Sequence, residues 1–329
     1  MTVLVTGGAG YIGSHMVWEL LDHGEEVVVL DRLSTGFDWA VPEAAELVVG
    51  DIGDQKLVEQ TMKRRGVDAV IHFAGSIIVP ESVSDPLGYY LNNTVKSRAL
   101  IESAVRCGVK HFIFSSTAAV YGSPNKIPVT EENPLEPESP YGTSKLMTEL
   151  MLRDTASAHD FAYTALRYFN VSGADPKKRT GQSTKGATHL IKVACETATG
   201  KRPHMEVFGD DYPTRDGTCV RDYIHVSDLV NAHYLALERL RRGRGSLVAN
   251  CGYGRGYSVL EVIDAVKRVS GVDFTVTKSG RRPGDAVAIV ASPERCFAEF
   301  GWKPAHDDLE EIVTHALGWE KTLAKRNRL

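Results

Sequence analysis

Two residue types in the stretch SPYGTSK could do proton chemistry together. Tyr141 and Lys145 stand four positions apart. At that spacing they share one face of a helix. Ser139 suits an N-cap and Pro140 the first helical position, so the pair is expected in the first turn. A free phenol titrates near pH 10, too high for a base at neutral pH. A neighbouring ammonium favours the phenolate, as does the positive charge of an oxidised nicotinamide. Such a phenolate can take a proton from a substrate hydroxyl while hydride leaves the same carbon. Thr117, in the run FSSTAAVYG, offers a hydroxyl to hold the reacting oxygen.

A pair of this kind needs a hydride acceptor, and the N-terminus has the pattern for one. Gly7, Gly10 and Gly13 form a G-x-x-G-x-x-G turn that includes Tyr11 and Ile12. It follows the apolar run TVLVT and precedes a helical pattern. Glycine permits the tight bend and lets backbone approach a pyrophosphate, and a helix N-terminus favours the anion. Asp31 ends the second apolar run, where a carboxylate binds both ribose hydroxyls of NAD and repels a 2′-phosphate. Arg32 beside it is the one feature that would suit the phosphorylated cofactor. Asp51 and Ile52 are expected at the adenine edge. Phe73, Ala74 and Gly75 are expected along the ribose and pyrophosphate.

These motifs sit on a regular alternation. Strands are expected at 2–6, 26–31, 46–51, 68–75, 110–116 and 161–169. Helices are expected at 12–23, 54–65, 87–107 and 141–159. Continuous Val/Ile-rich strands separated by helices predict an α/β fold: a doubly wound parallel sheet of Rossmann type. From 171 the pattern breaks into a polar loop to 186. Helices near 187–199, 226–241, 258–270 and 308–322 follow, with strands near 205–208, 247–250 and 273–277. This predicts a smaller C-terminal α/β substrate lobe. The division is expected at 1–170 for the dinucleotide-binding domain and 171–329 for the lobe, with some segments from about 210–250 returning to the first.

Composition bounds the function. The chain has 329 residues, 43% of them hydrophobic, and a net charge of −4. That argues against nucleic-acid binding by bulk electrostatics. No apolar run is long enough to span a membrane. MTVLVTGGAG enters a strand at once, so no signal peptide is expected. Five scattered cysteines suit free thiols in a reducing cytoplasm. The histidines and acids show no metal-ligand spacing, so no metal is expected.

GGAGYIGSH, HFAG, FSSTAAVYG, SPYGTSK, LRYFN, VRDYIHV and RRPGD occur in one order along the chain. In that order and spacing they resemble the extended short-chain dehydrogenase/reductases, most of all the UDP-glucose 4-epimerase family. FGDDYPTRDGT, VRDYIHVSD and RRPGD carry the more specific part. The resemblance implies a reversible interconversion of UDP-galactose and UDP-glucose with tightly bound NAD. Tyr141 would take the 4-hydroxyl proton, the 4-keto sugar would turn over, and hydride would return to its other face. It further implies that Asn92, Ser115, Lys145 and Phe169 contact the cofactor. Asn170, His189, Leu190, Val207, Phe208, Arg221, Arg282 and Asp285 would contact the UDP-sugar. Arginine suits a diphosphate because its fork donates two parallel bonds. A homodimer through the helices at 87–107 and 141–159 is implied too.

Some positions depart from relatives. Ile77 replaces a lysine, His189 an asparagine, and Ile289 sits where side-chain size gates the sugar 2-substituent. Sugar-nucleotide dehydratases resemble this pattern but carry Asp-Glu where Ala118 and Ala119 stand, and methyl groups cannot transfer protons. Decarboxylating relatives carry a glutamate that is absent here. A 4-epimerase of UDP-xylose/UDP-arabinose or of UDP-N-acetylhexosamines stays open. A non-enzymatic NAD-binding regulator would not need the Thr117, Tyr141 and Lys145 set.

Overall fold

The computed structural model describes residues 1–282 and 285–326. Strands come in chain order as Thr2–Thr6 (β1), Glu26–Asp31 (β2), Glu46–Val49 (β3), Val67–His72 (β4), His111–Ser115 (β5) and Ala162–Tyr168 (β6). Asn170–Ser172 (β7), Met205–Phe208 (β8), Val220–His225 (β9) and Leu247–Cys251 (β10) follow. Gly256–Ser258 (β11), Val276–Ser279 (β12) and Ala288–Ile289 (β13) complete the set.

Seven of these form one sheet in the order β10-β6-β5-β4-β1-β2-β3. Every pairing in it is parallel. Side chains alternate between the faces of a strand, so a sheet covered on both sides needs apolar residues throughout. β1 obeys this: Val3 and Val5 enter one core with Met16, Val17 and Leu229, while Leu4 enters the other with Leu100, Phe112 and Phe114. The strand order reverses at β1, which has β2 on one side and β4 on the other. In a doubly wound sheet the carboxyl ends at such a switch point form the ligand crevice. The doubly wound parallel sheet expected from the sequence is present.

Beyond β6 a smaller α/β region has its own core, built on Ile191, Val207, Tyr223, Val262, Val266, Ile312 and Val313. Its centre is β9, which pairs with β7, β11 and β13. β8 and β12 form a separate parallel pair. Helix Val226–Arg241 and β10 return to the large sheet, β10 pairing with β6. No helix among the described residues is long and apolar enough to cross a membrane.

Three differences from the sequence reading have physical causes. The fourth strand stops at His72, because Phe73 N–H donates to Thr6 O and the chain then leaves the ladder. The helix expected over 87–107 is broken by a wider π turn at Tyr90–Val95. Asn93 is tied there to the Ser76 backbone and to Ser144. β9 was not expected as a strand, since VRDYIH carries two charges. The Asp222 carboxylate in it is buried and accepts N–H groups of Tyr253, Gly254 and Ala291 at 2.9–3.2 Å. Burial pushes this carboxyl up to about 6, against the pull of those three donors.

Candidate active site

The glycine turn closes the end of β1. Gly7 has φ +73°, and a Cβ there would meet Ala74 N at 2.7 Å. A Cβ on Gly13 would meet Gly7 O at 2.1 Å. Helix Tyr11–Asp22 starts after Gly10 with no side-chain cap and no acid in its first turn. Its leading N–H groups and positive end suit a pyrophosphate. These features fit a dinucleotide.

Around this turn the cofactor candidates come together. Asp31 braces the loop, accepting Ala9 N–H at 3.0 Å and Leu33 N–H at 2.8 Å. Each carboxylate oxygen keeps lone-pair capacity for ribose hydroxyls. Arg32 is spoken for by Ser34 at 3.0 Å and by Asp51 at 3.8 Å. A 2′-phosphate would have to compete with that carboxylate. Asp51 also pairs with Lys96 and accepts Gly53 N–H, while Ile52 is buried in the core beside it. Phe73 packs on His233 with ring centroids 5.0 Å apart. A Cβ on Gly75 would lie 3.0 Å from Asn93 Oδ1 and 3.9 Å from Lys145 Nζ, so this turn reaches the catalytic helix. Asn92 donates to Ser76 Oγ at 3.0 Å. The Tyr11 side chain turns away to donate to Gly173 O at 2.7 Å, leaving only its backbone for a ligand. Ile77 is half exposed.

Helix Pro140–Ala158 carries Tyr141 and Lys145, and Ser139 caps it by accepting Gly142 N–H at 3.2 Å. Both side chains are buried. Lys145 Nζ donates to Ser115 O at 2.9 Å and lies 4.9 Å from the Phe114 ring centroid. Burial pushes its ammonium down to about 8, with Glu149 pulling it back up. Burial raises the Tyr141 phenol above its usual value, and the neighbouring Thr117 hydroxyl opposes the rise. The sequence reading gave the ammonium the task of lowering the phenol. In the structure Lys145 spends its bond on Ser115 O, and burial outweighs the lowering. Ser115 Oγ donates to Tyr168 at 2.8 Å, fixing the strand end beneath the pair.

The candidate substrate residues divide. Arg221, Arg282 and Asp285 form one cluster, with Asp285 3.8 Å from Arg221 and 3.0 Å from Arg282. The Arg282 guanidinium lies over the Phe208 ring at 4.6 Å. Asp285 thus partly neutralises both cations. Pro283 and Gly284 of the same motif lie outside the described residues. Val207 is buried in the core of the smaller region and Leu190 packs against that core. His189 starts helix Leu190–Ala198 and meets Gln182 Nε2 through Nδ1 at 2.8 Å. Burial lowers its pKa. Phe169 and Ile289 share one apolar cluster with Ala118 and Tyr121. Asn170 follows at the start of β7.

A buried polar chain under the site was missed. Glu149 accepts Arg167 Nε at 3.0 Å and Nη2 at 2.6 Å, and also the Ser116 hydroxyl. Arg167 Nη1 donates to Tyr121 at 2.9 Å, and Tyr121 donates to Asn250 Oδ1 at 2.7 Å. The spacing held a clue: Glu149 lies four residues beyond Lys145 on the same helix face.

A family model, the NAD dependent epimerase/dehydratase family, matches residues 3–252. The chain belongs to that family. It is 56% identical over 321 residues to the UDP-glucose 4-epimerase of Azospirillum brasilense, covering 98% of this chain and 92% of that protein. A crystal structure of the Brucella ovis UDP-glucose 4-epimerase in complex with NAD is 44% identical, with a TM-score of 0.93 over 97% of this chain and 98% of the other. The Campylobacter jejuni UDP-Glc/GlcNAc 4-epimerase is 47% identical, with a TM-score of 0.85 over 98% of this chain and 99% of the other.

Proposed function

We propose that this chain interconverts UDP-galactose and UDP-glucose by reversible oxidation at the sugar C4. One observation carries the reading. Tyr141, Lys145 and Thr117 are neighbours at the carboxyl edge of the sheet, and Thr117 is followed by methyl groups only, at Ala118 and Ala119. The site can take and return a proton but has no second acid or base there for eliminating water.

NAD, when bound, supplies the hydride acceptor for C4 and a ring charge that favours the phenolate. The residues that would hold it are the 7–13 turn, Asp31, Asp51, Ile52, Phe73, Ala74, Gly75, Asn92, Ser115, Lys145 and Phe169. Thr117 orients the sugar oxygen. Tyr141 Oη holds the proton between the two half-reactions, and burial of the side chain limits its exchange with water. Lys145 keeps a positive charge close by and is anchored by Ser115 O. Arg221 and Arg282 grip the diphosphate with Asp285 between them, and His189 and Asn170 complete the sugar-nucleotide contacts.

The test is conversion of UDP-galactose to UDP-glucose by purified protein with no NAD added. Conversion supports the reading. No conversion by cofactor-loaded protein overturns it, and UDP-xylose and UDP-N-acetylglucosamine are then tried.

We also infer a homodimer. Leu87, Leu91 and Val95 are spaced one turn apart and are 77%, 54% and 53% exposed. Met147 and Leu150 on helix Pro140–Ala158 add 39% each. Apolar stripes of this kind on two helices suit a four-helix interface with a second copy. Light scattering at micromolar concentration decides: a monomer mass for the native chain rules the dimer out.

A further inference from the structure

Four residues from three separate stretches of the sequence meet where the C-terminal helix approaches β9. Helix Leu309–Arg326 carries Glu311 and His315 one turn apart on one face. His306 comes from the segment before it. One ligand atom from each of these three lies within 4.8 Å of the others. His306 Nδ1 is 2.7 Å from Glu311 Oε1. His225, the last residue of β9, sets its Nε2 3.0 Å from His315 Nδ1, and its ring is 4.5 Å from that of His306.

The set is held in place from behind. The buried Asp228 accepts N–H groups of Ala305 and His306 at 2.9 Å each, and Tyr253 donates to both Asp228 and the His306 carbonyl. Ser227 N–H donates to His225 Nδ1 at 3.0 Å, which fixes that ring against His315. The front is open, with side-chain exposures of 21% for His306 and 37% for Glu311. Two imidazoles and a carboxylate are the donors that zinc and its first-row neighbours prefer, whereas magnesium favours oxygen ligands and water. Ligands held in position by a second layer of hydrogen bonds are what such a site requires.

We infer that His306, Glu311 and His315 form a binding site for a divalent cation of the zinc type, which would take the His315 Nδ1 lone pair that the His225 N–H holds in its absence. None of its ligands belongs to the residues proposed to hold NAD, the sugar nucleotide or the proton. An occupied site ties the segment at His306 to the C-terminal helix and stabilises the fold by mass action.

The test titrates zinc into the full-length, chelator-stripped protein by calorimetry. The inference expects about one equivalent per chain, a raised Tm and no competition by excess magnesium. Glu311→Gln, at a half-exposed position, and His315→Gln are each expected to weaken binding about tenfold or more. Their zinc-free Tm and circular dichroism report whether they remain folded. No saturable binding by the native chain overturns the inference. Affinity unchanged in both folded variants overturns it too.

Discussion

Glu149→Gln is the most informative single change. The carboxylate and Arg167 are both about 95% buried, and the pair is linked to Ser116 and Tyr121. Glutamine keeps one acceptor but turns an NH2 group toward an arginine donor. The guanidinium is then left buried with one amide oxygen and Tyr121 Oη to receive it and no countercharge. Removing one partner of such a pair costs about 3–5 kcal/mol. For 329 residues the unfolding entropy is about 0.7 kcal/mol/K, so Tm is expected to fall by about 4–7 °C. A second signature is independent of stability. Glu149 pulls the Lys145 pKa upward against burial. Without that charge Lys145 loses its proton at lower pH, and the alkaline limb of kcat/KM moves down. Calorimetry and a pH profile of UDP-galactose conversion read the two effects. A Tm loss under about 1 °C would refute the energetic reasoning. An unmoved alkaline limb would refute the link to Lys145. The double variant Glu149→Gln/Arg167→Met is expected to recover much of the stability, because the stranded charge goes with it.

Three further outcomes follow from the same chemistry. Lys145 has a folded pKa of about 8, below its usual 10.5, so the unfolded chain binds more protons between those values; the native protein is expected to gain stability relative to Lys145→Met as pH rises from 8 to 10.5, and a constant Tm difference over that window would contradict this. Burial lowers His72 to about 3 and His15 and His233 to about 4, so folded stability is expected to fall as pH drops below 6.5, outweighing the opposite effect of Asp222, and a flat Tm between pH 6.5 and 5 would refute it. Ile289→Tyr enlarges a side chain packed with Phe169 and Ala118, and is expected to cut turnover of UDP-N-acetylglucosamine relative to UDP-glucose by about tenfold or more; equal loss on both substrates would remove Ile289 from the gate.

The large sheet was legible because each of its first six strands is a short apolar run, and period and turn residues report that directly. The placing of the candidate site residues was legible because local signals set it: a cap for Tyr141 and Lys145, and a glycine turn for the cofactor. What stayed hidden depends on distant pairing. Asp222 and Arg221 make VRDYIH look like surface, yet the carboxylate is satisfied by three N–H groups from residues 31 to 69 positions away. The π turn at Tyr90–Val95 answers to Ser76 and Ser144, which no local propensity encodes. The Glu149–Arg167 pair crosses from helix to strand, and the helical spacing of Glu149 announces only half of it.

The return of β10 to the large sheet bears on how the chain is made. β6 ends at Tyr168, and its neighbour β10 begins only at Leu247. A ribosome adds residues at about 5–20 per second, so the edge of β6 waits roughly 4–16 s for its partner. During that interval an apolar strand edge stands open, a template for pairing with another nascent chain. Everything from β7 to helix Val226–Arg241 must be synthesised before the edge is closed. The nucleotide half therefore reaches its final form only after much of the smaller region has emerged, and a chain stopped at residue 170 is expected to aggregate.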